Sequence, residues 1–131
     1  MSDRRDELEA FYRRYNACCN AHAFDRLGEF VAAEVEINGE RRRLDDYARN
    51  LSFVVDAFPD FRWDLRHLLV DGDWIAGHFV DTGTHRGTFL GVPASGRAVT
   101  TEEFAFYRVA EGRIAEVWGT AFHLRLLDQI R

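Results

Sequence analysis

The stretch Gly83-Thr84-His85-Arg86-Gly87-Thr88-Phe89-Leu90-Gly91-Val92-Pro93-Ala94-Ser95-Gly96-Arg97 separates two segments of period-two alternation. Its glycines and its proline interrupt strand pairing, so it reads as a long loop between two hairpins. Upstream, residues 61–70 and 73–82 alternate as strands around Asp71-Gly72, a strong hairpin signal. Downstream, residues 99–110 and 113–122 do the same around Glu111-Gly112.

Farther upstream the period is helical. Asp3 is placed to cap a helix over residues 4–23, with Leu8, Tyr12, Tyr15, Cys19 and His22 as its buried stripe. A short helix follows from Asp25 to about residue 31, then a strand over 35–37 closed by Asn38-Gly39. Asp45 caps a third helix whose apolar face is Tyr47, Leu51, Val54 and Val55, and Pro59 lies beyond its end. Residues from His123 form a short terminal helix. Helices first and strands after predict an α+β fold in one domain spanning residues 1–131.

The turns predict which side chains share a face. Val70 opposite Asp73 puts Phe61, Trp63, Leu65, His67 and Leu69 with Trp74, Ala76, His78, Val80 and Thr82, facing the helices. Asp73 and Asp81 then face water or another subunit. In the second hairpin, Trp118 opposite Ala105 and Glu116 opposite Tyr107 put Glu103, Tyr107, Glu116, Trp118 and Phe122 on one shared face. Phe104, Phe106 and Val117 form an apolar strip on the other.

The 131 residues are 47% hydrophobic and 30% charged, enough for one core. A net charge of −5 argues against a nucleic-acid surface, and Arg41-Arg42-Arg43 reads as a solvated turn. No apolar run approaches the roughly 18 residues of a membrane span, and the charged N-terminus lacks a signal-peptide pattern. A cytoplasmic protein is expected. Adjacent Cys18 and Cys19 diverge on a helix and read as inert apolar fillers.

His22, His67, His78, His85 and His123 are scattered, so no metal is expected. Ser95 lacks a nucleophile motif, and the glycines near His85 do not lead into a phosphate-cradling helix. Acid/base chemistry in an apolar pocket remains. Burial raises a carboxyl's pKa toward working pH, which makes a proton carrier. Glu103 is the first catalytic candidate, with His78 and Tyr107 assisting. Trp63, His67, Glu116, Trp118, Phe122 and Asn38 are candidate substrate contacts, Asn38 also being a natural turn residue. His85 reads as a hydrogen-bonding residue that shapes its loop, and His123 leaves the pocket by alternation.

Ala57-Phe58-Pro59-Asp60, Gly72-Asp73, Gly83-Thr84-His85, Gly112-Arg113-Ile114 and the leucines and Gln129 of the closing helix resemble the SnoaL-like polyketide cyclases, a branch of the NTF2-like fold. The resemblance runs roughly from Leu8 to Gln129. It implies a cone-shaped α+β barrel with helices packed on a strongly curved, mostly antiparallel sheet, and a deep pocket holding Trp118 and Phe122. Their face, with Glu103, Tyr107 and Glu116, is then the inner one. The strip of Phe104, Phe106 and Val117 is outer, from which we expect a homodimer through the outer sheet face. It implies cofactor-free intramolecular aldol condensation of a polyketide ester. The family's acid/base aspartate falls at Phe122, which carries no proton. The expected function is therefore a cyclase- or isomerase-type enzyme on an apolar, polyketide-like cyclic substrate. The alternatives are a protein that binds a hydrophobic small molecule without turning it over, and a dimerisation module.

Overall fold

A computed structural model describes residues 3–119 and 123–131. Helix α1 (Asp3–Asn20) leads through a 3-10 helix (Phe24–Glu29) into strands β1 (Val31–Ile37) and β2 (Glu40–Arg43). Helix α2 (Leu44–Ala57) precedes the long strands β3 (Arg62–Asp71), β4 (Trp74–Thr84), β5 (Ala98–Ala110) and β6 (Arg113–Gly119), and α3 (His123–Ile130) closes the chain. The strands form one six-stranded sheet in the order β2-β1-β6-β5-β4-β3. Every pairing is antiparallel except that of β1 with β6. The expected α+β class, with helices on a mostly antiparallel sheet, holds.

The turn chemistry acts as its residue types dictate. Asn38 and Gly39 both take positive φ (51° and 85°), and so do Glu111 and Gly112 (53° and 76°), as a two-residue hairpin turn matching strand twist requires. Arg41-Arg42-Arg43 is not a turn but an exposed edge strand paired with β1, a suitable place for charges that discourage further pairing. Helix α2 starts two residues earlier than expected, with Arg43 rather than Asp45 at its N-cap. The Asp46 carboxylate, not Asp45, accepts the Arg43 N–H at 3.0 Å. Helix α1 ends at Asn20, and His22 lies beyond it with φ 55°, hydrogen-bonded to the Phe61 carbonyl at 2.8 Å.

Two bulges decide the faces of the sheet. Near its turn the first hairpin pairs Asp71 with Trp74 and His67 with His78, but beyond Arg66 the register shifts so that Leu65 meets Phe79. Phe61 and Trp63 therefore face the helices, while His67 and Leu69 face outward. On β4 the inner set is Ile75, Gly77, Phe79, Asp81 and Gly83, the reverse of the expected one. The second hairpin begins in the expected register, Ala110 with Arg113 and Val109 with Ile114, then shifts at Ala115 so that Phe106 meets Trp118. Bulges of this kind bend a strand, and bending lets the sheet wrap its helices.

The loop that divides the hairpins is stitched to the end of α2. Asp60 accepts from both the backbone N–H and the hydroxyl of Thr84 at 2.7 Å. The N–H groups of Arg86 and Gly87 donate to the Ala57 carbonyl. A Cβ on Gly87 would lie 2.6 Å from the Asp56 carbonyl oxygen, so only glycine fits this crossing. His85 is fully buried against Phe58. Its Nδ1 accepts the Ser95 N–H at 3.1 Å and meets the Ser95 hydroxyl at 2.8 Å, the loop-shaping contact expected of it. Asp60→Ala removes two charge-assisted bonds and lowers unfolding stability by about 1–3 kcal/mol in urea titration. The contribution depends on pH. Slight burial raises the Asp60 pKa, but the Thr84 bonds outweigh it and hold the carboxyl below its usual range. This stabilisation is present above the ordinary value of 3.8 and is lost as pH falls through the lower folded value.

Candidate active site

A cavity of about 300 Å³ opens between the concave sheet face and the helices. Helix α1 supplies Tyr12, Tyr15 and Cys19 to its wall, α2 supplies Tyr47 and Asn50, and the sheet supplies Trp63, Phe79, Glu103, Tyr107 and Val117. His123 lines it from the start of α3. The helical spacing of Tyr12, Tyr15 and Cys19 turns all three onto the face that packs on the sheet.

The tyrosines form a hydroxyl cluster. Tyr15 and Tyr47 share a short hydroxyl–hydroxyl hydrogen bond of 2.5 Å, and the Tyr12 and Tyr107 ring centroids are 4.9 Å apart. Burial is the first cause that pushes all four phenols above their ordinary pKa. They stay protonated at neutral pH and serve as donors, not bases. In the Tyr15–Tyr47 pair one proton is used internally, and the second is shared between the neighbouring Cys19 thiol and any acceptor in the cavity. Burial also pushes the Cys19 thiol up to about 12, so it is an inert thiol, as its sequence context implies.

Glu103 is the carboxyl of this wall. Its Oε1 is sealed from solvent and meets no donor among the described residues. Burial raises its pKa, and a hydrogen bond with Asp81 partly offsets the rise. Asp81 is fully buried on the same face of β4, although alternation assigned it to the outer surface. Burial, then the hydrogen bond and the charge of Glu103, raise the Asp81 pKa strongly.

The expected site residues divide between the two faces. Glu103, Tyr107, Trp63 and Asn38 line the cavity. The Asn38 Oδ1 also accepts the Gly119 N–H at 2.9 Å, so its turn role and its cavity position coexist. His78 and His67 do not reach the cavity. They lie on the outer face with Nδ1 atoms 2.9 Å apart, and the His78 Nε2 is 2.7 Å from Glu102. Glu116 is also on that face, accepting from Trp118 at 2.6 Å and Arg108 at 2.9 Å, and those bonds hold its pKa below the usual range. Trp118 is 41% exposed beside outward-facing Phe104 and Phe106, whereas Val117 turns inward. The bulge at Ala115 is the cause of both exchanges. Phe122 lies outside the described residues.

Two residues were missed. His123 lines the cavity as the first residue of α3, where strand alternation does not govern side-chain direction. Burial lowers its pKa, which keeps the imidazole neutral at pH 7 and able to accept a proton. Asp81 carried no sequence signal, since an aspartate in an alternating strand ordinarily marks the wet face.

Residues 9–130 match the family model of the SnoaL-like polyketide cyclases. Aklanonic acid methyl ester cyclase of Streptomyces peucetius is 26% identical over 112 residues, which are 79% of this chain and 77% of that protein. A SnoaL-like polyketide cyclase of Agrobacterium tumefaciens superposes with a TM-score of 0.81 at 30% identity, over 95% of this chain and 98% of its own. TsrD from Streptomyces laurentii shares the fold with a TM-score of 0.84 at 21% identity, over 96% of both chains. The helices on a curved six-stranded sheet are the NTF2-like arrangement of these relatives.

Proposed function

The chain belongs to the SnoaL-like polyketide cyclase family, and on that footing we propose that it is a cofactor-independent cyclase or isomerase acting by acid/base chemistry on a compact, polyketide-like ring substrate. The observation that carries this reading is the Glu103 carboxyl, buried in a wall of neutral phenols and apolar side chains. A desolvated carboxylate is a stronger base than one in water, and phenol donors suit a developing enolate.

In this reading the Glu103 carboxylate removes a proton alpha to a carbonyl. The C–H electron pair moves onto the carbonyl oxygen, which receives a hydrogen bond from the hydroxyl of the Tyr15–Tyr47 pair whose proton is not used internally. The nucleophilic carbon attacks a second carbonyl of the same molecule, a C–C bond forms, and the new alkoxide takes the proton back from Glu103. No external oxidant, reductant or co-reactant is needed. His123 is a second proton carrier in the same cavity, neutral at working pH.

The cavity, at about 300 Å³, sits at the small end of ligand sites, which span roughly 300–1,000 Å³. That favours substrates of one to three rings over four-ring polyketides. The test is incubation with a panel of one- to three-ring keto esters, read by chromatography with mass detection. A new peak of unchanged mass, or of mass reduced by water, supports the enzyme. The second reading, a binding protein without turnover, is favoured by Phe122 at the place of the family aspartate. It predicts saturable binding of a panel member with every compound recovered intact.

A further inference from the structure

Asp81 and Glu103 lie diagonally on adjacent strands of the concave face. Asp81 pairs with Thr101 in the β4–β5 ladder, and Glu103 pairs with Phe79. Diagonal neighbours of this kind are within reach of each other's side chains. Asp81 is fully buried and does not line the cavity, whereas Glu103 does. Neither Asp81 oxygen and not the Glu103 Oε1 meets a donor among the described residues, and the adjacent Thr101 hydroxyl has no partner either. Two ionised carboxylates would leave these buried acceptors bare and place like charges side by side, at a cost of several kcal/mol. One proton between them removes one charge and supplies the missing donor.

Among the described residues no donor reaches these oxygens. Tyr12, Tyr15 and Cys19 of α1, Tyr47 of α2 and Tyr107 of β5 are held neutral by burial, and so is His123 of α3. His85, just beyond the end of β4, is engaged with Ser95 through Nδ1, and its buried Nε2 meets no partner among the described residues. Burial and the partner carboxyl are the influences on Asp81, and no guanidinium is among them.

We propose that Asp81 is a positioning residue that keeps a proton behind the cavity and shares it with Glu103, so that the two carboxyls act as one acid–base unit with a single proton at neutral pH. The Asp81 O–H donates to Glu103, aims its free oxygen at the cavity and spreads the negative charge of the base form. Glu103 thus stays ionised enough to accept a substrate proton in a site dry enough to make it basic. The catalytic consequence rests on the enzyme reading above, but the shared proton does not.

The test is a pH titration of the folded protein by NMR of carbon-13-labelled side-chain carboxyls. Asp81 and Glu103 are expected to titrate together in two steps separated by about 3 pH units, as other carboxyl pairs sharing a proton do. In Asp81→Asn, whose amide still donates, the upper step disappears and Glu103 titrates once. Asp81→Leu, which offers no donor, moves the Glu103 step upward. Stability gives an independent readout. A carboxyl whose folded pKa is raised contributes stability that is complete below the ordinary value of 3.8 and lost as pH rises toward the folded value. Wild-type unfolding stability therefore declines from about pH 5 toward pH 9, and Asp81→Asn flattens that decline. Separate single-step titration of both carboxyls in the ordinary acid range, unchanged by substituting either partner, overturns the proposal. Failure of the panel assay bears on the enzyme reading alone, because the titration needs no substrate.

Discussion

Glu103→Gln abolishes measurable conversion of any substrate the protein turns over, a loss of about 10²–10⁴-fold in kcat, while the fold persists. Glutamine keeps the shape of the side chain, and its Oε1 still accepts from the Asp81 O–H. What disappears is the one carboxylate that lines the cavity among the described residues, since Asp81 lies behind the wall. Stability should hold or rise, because a neutral amide loses less hydration on burial than a carboxyl. The pH profile completes the test. Because burial raises the Glu103 pKa above its ordinary 4.5, the wild-type rate climbs with pH through a limb above that value, as the base form appears. That limb is absent from any residual activity of the variant. Survival of both rate and limb in Glu103→Gln would transfer the role of base to His123.

Phe58→Ala has the largest expected effect on the fold. Phe58 is fully buried where the end of α2 meets the interrupting loop, and its ring contacts Phe61, His85 and Phe89 with centroids 5.2–6.1 Å away. Truncation removes a full aromatic side chain and leaves a cavity among rings that a backbone crossing at Gly87 holds in place. Such changes cost about 3–5 kcal/mol, out of a total stability of about 5–15 kcal/mol for a domain. Thermal unfolding should fall by roughly 10–15 °C, at about 3 °C per kcal/mol for a chain of this size. Differential scanning calorimetry measures it directly. A drop under about 3 °C would mean that the loop is not anchored through this ring.

The two cases differ in how far the sequence announced them. The strings Ala57-Phe58-Pro59-Asp60 and Gly83-Thr84-His85 were legible as motifs, but their contact, which joins Asp60 to Thr84 across 24 residues, was decided by the fold. That Glu103 and Tyr107 share a face was legible, since β5 runs without a bulge along its pairing with β4 and keeps strict alternation. Their inward direction was inferred from Trp118, which the structure turns outward together with Glu116. The positions of His67, His78, Glu116 and Trp118 were not legible. His67, Glu116 and Trp118 lie beyond a bulge, at Arg66 or Ala115, and His78 pairs with His67, and neither bulge position carries a glycine or proline to mark it. One extra residue reverses every side chain after it.

The amino-acid sequence by itself determined the order of helices and strands apart from edge strand β2, the turns at Asn38-Gly39 and Glu111-Gly112, the stripe of Tyr12, Tyr15 and Cys19, and the family. All of these depend on interactions between residues close in the chain or on motifs preserved as strings. The first long hairpin, by contrast, turns at Gly72-Asp73 and not at Asp71-Gly72. Only the tertiary structure decided which face of each strand is dry, and so which charged groups share the cavity. The curvature that sets those faces comes from packing a whole sheet around its helices. It buries Asp81 against Glu103 although they stand far apart in sequence, and no local pattern encodes that meeting.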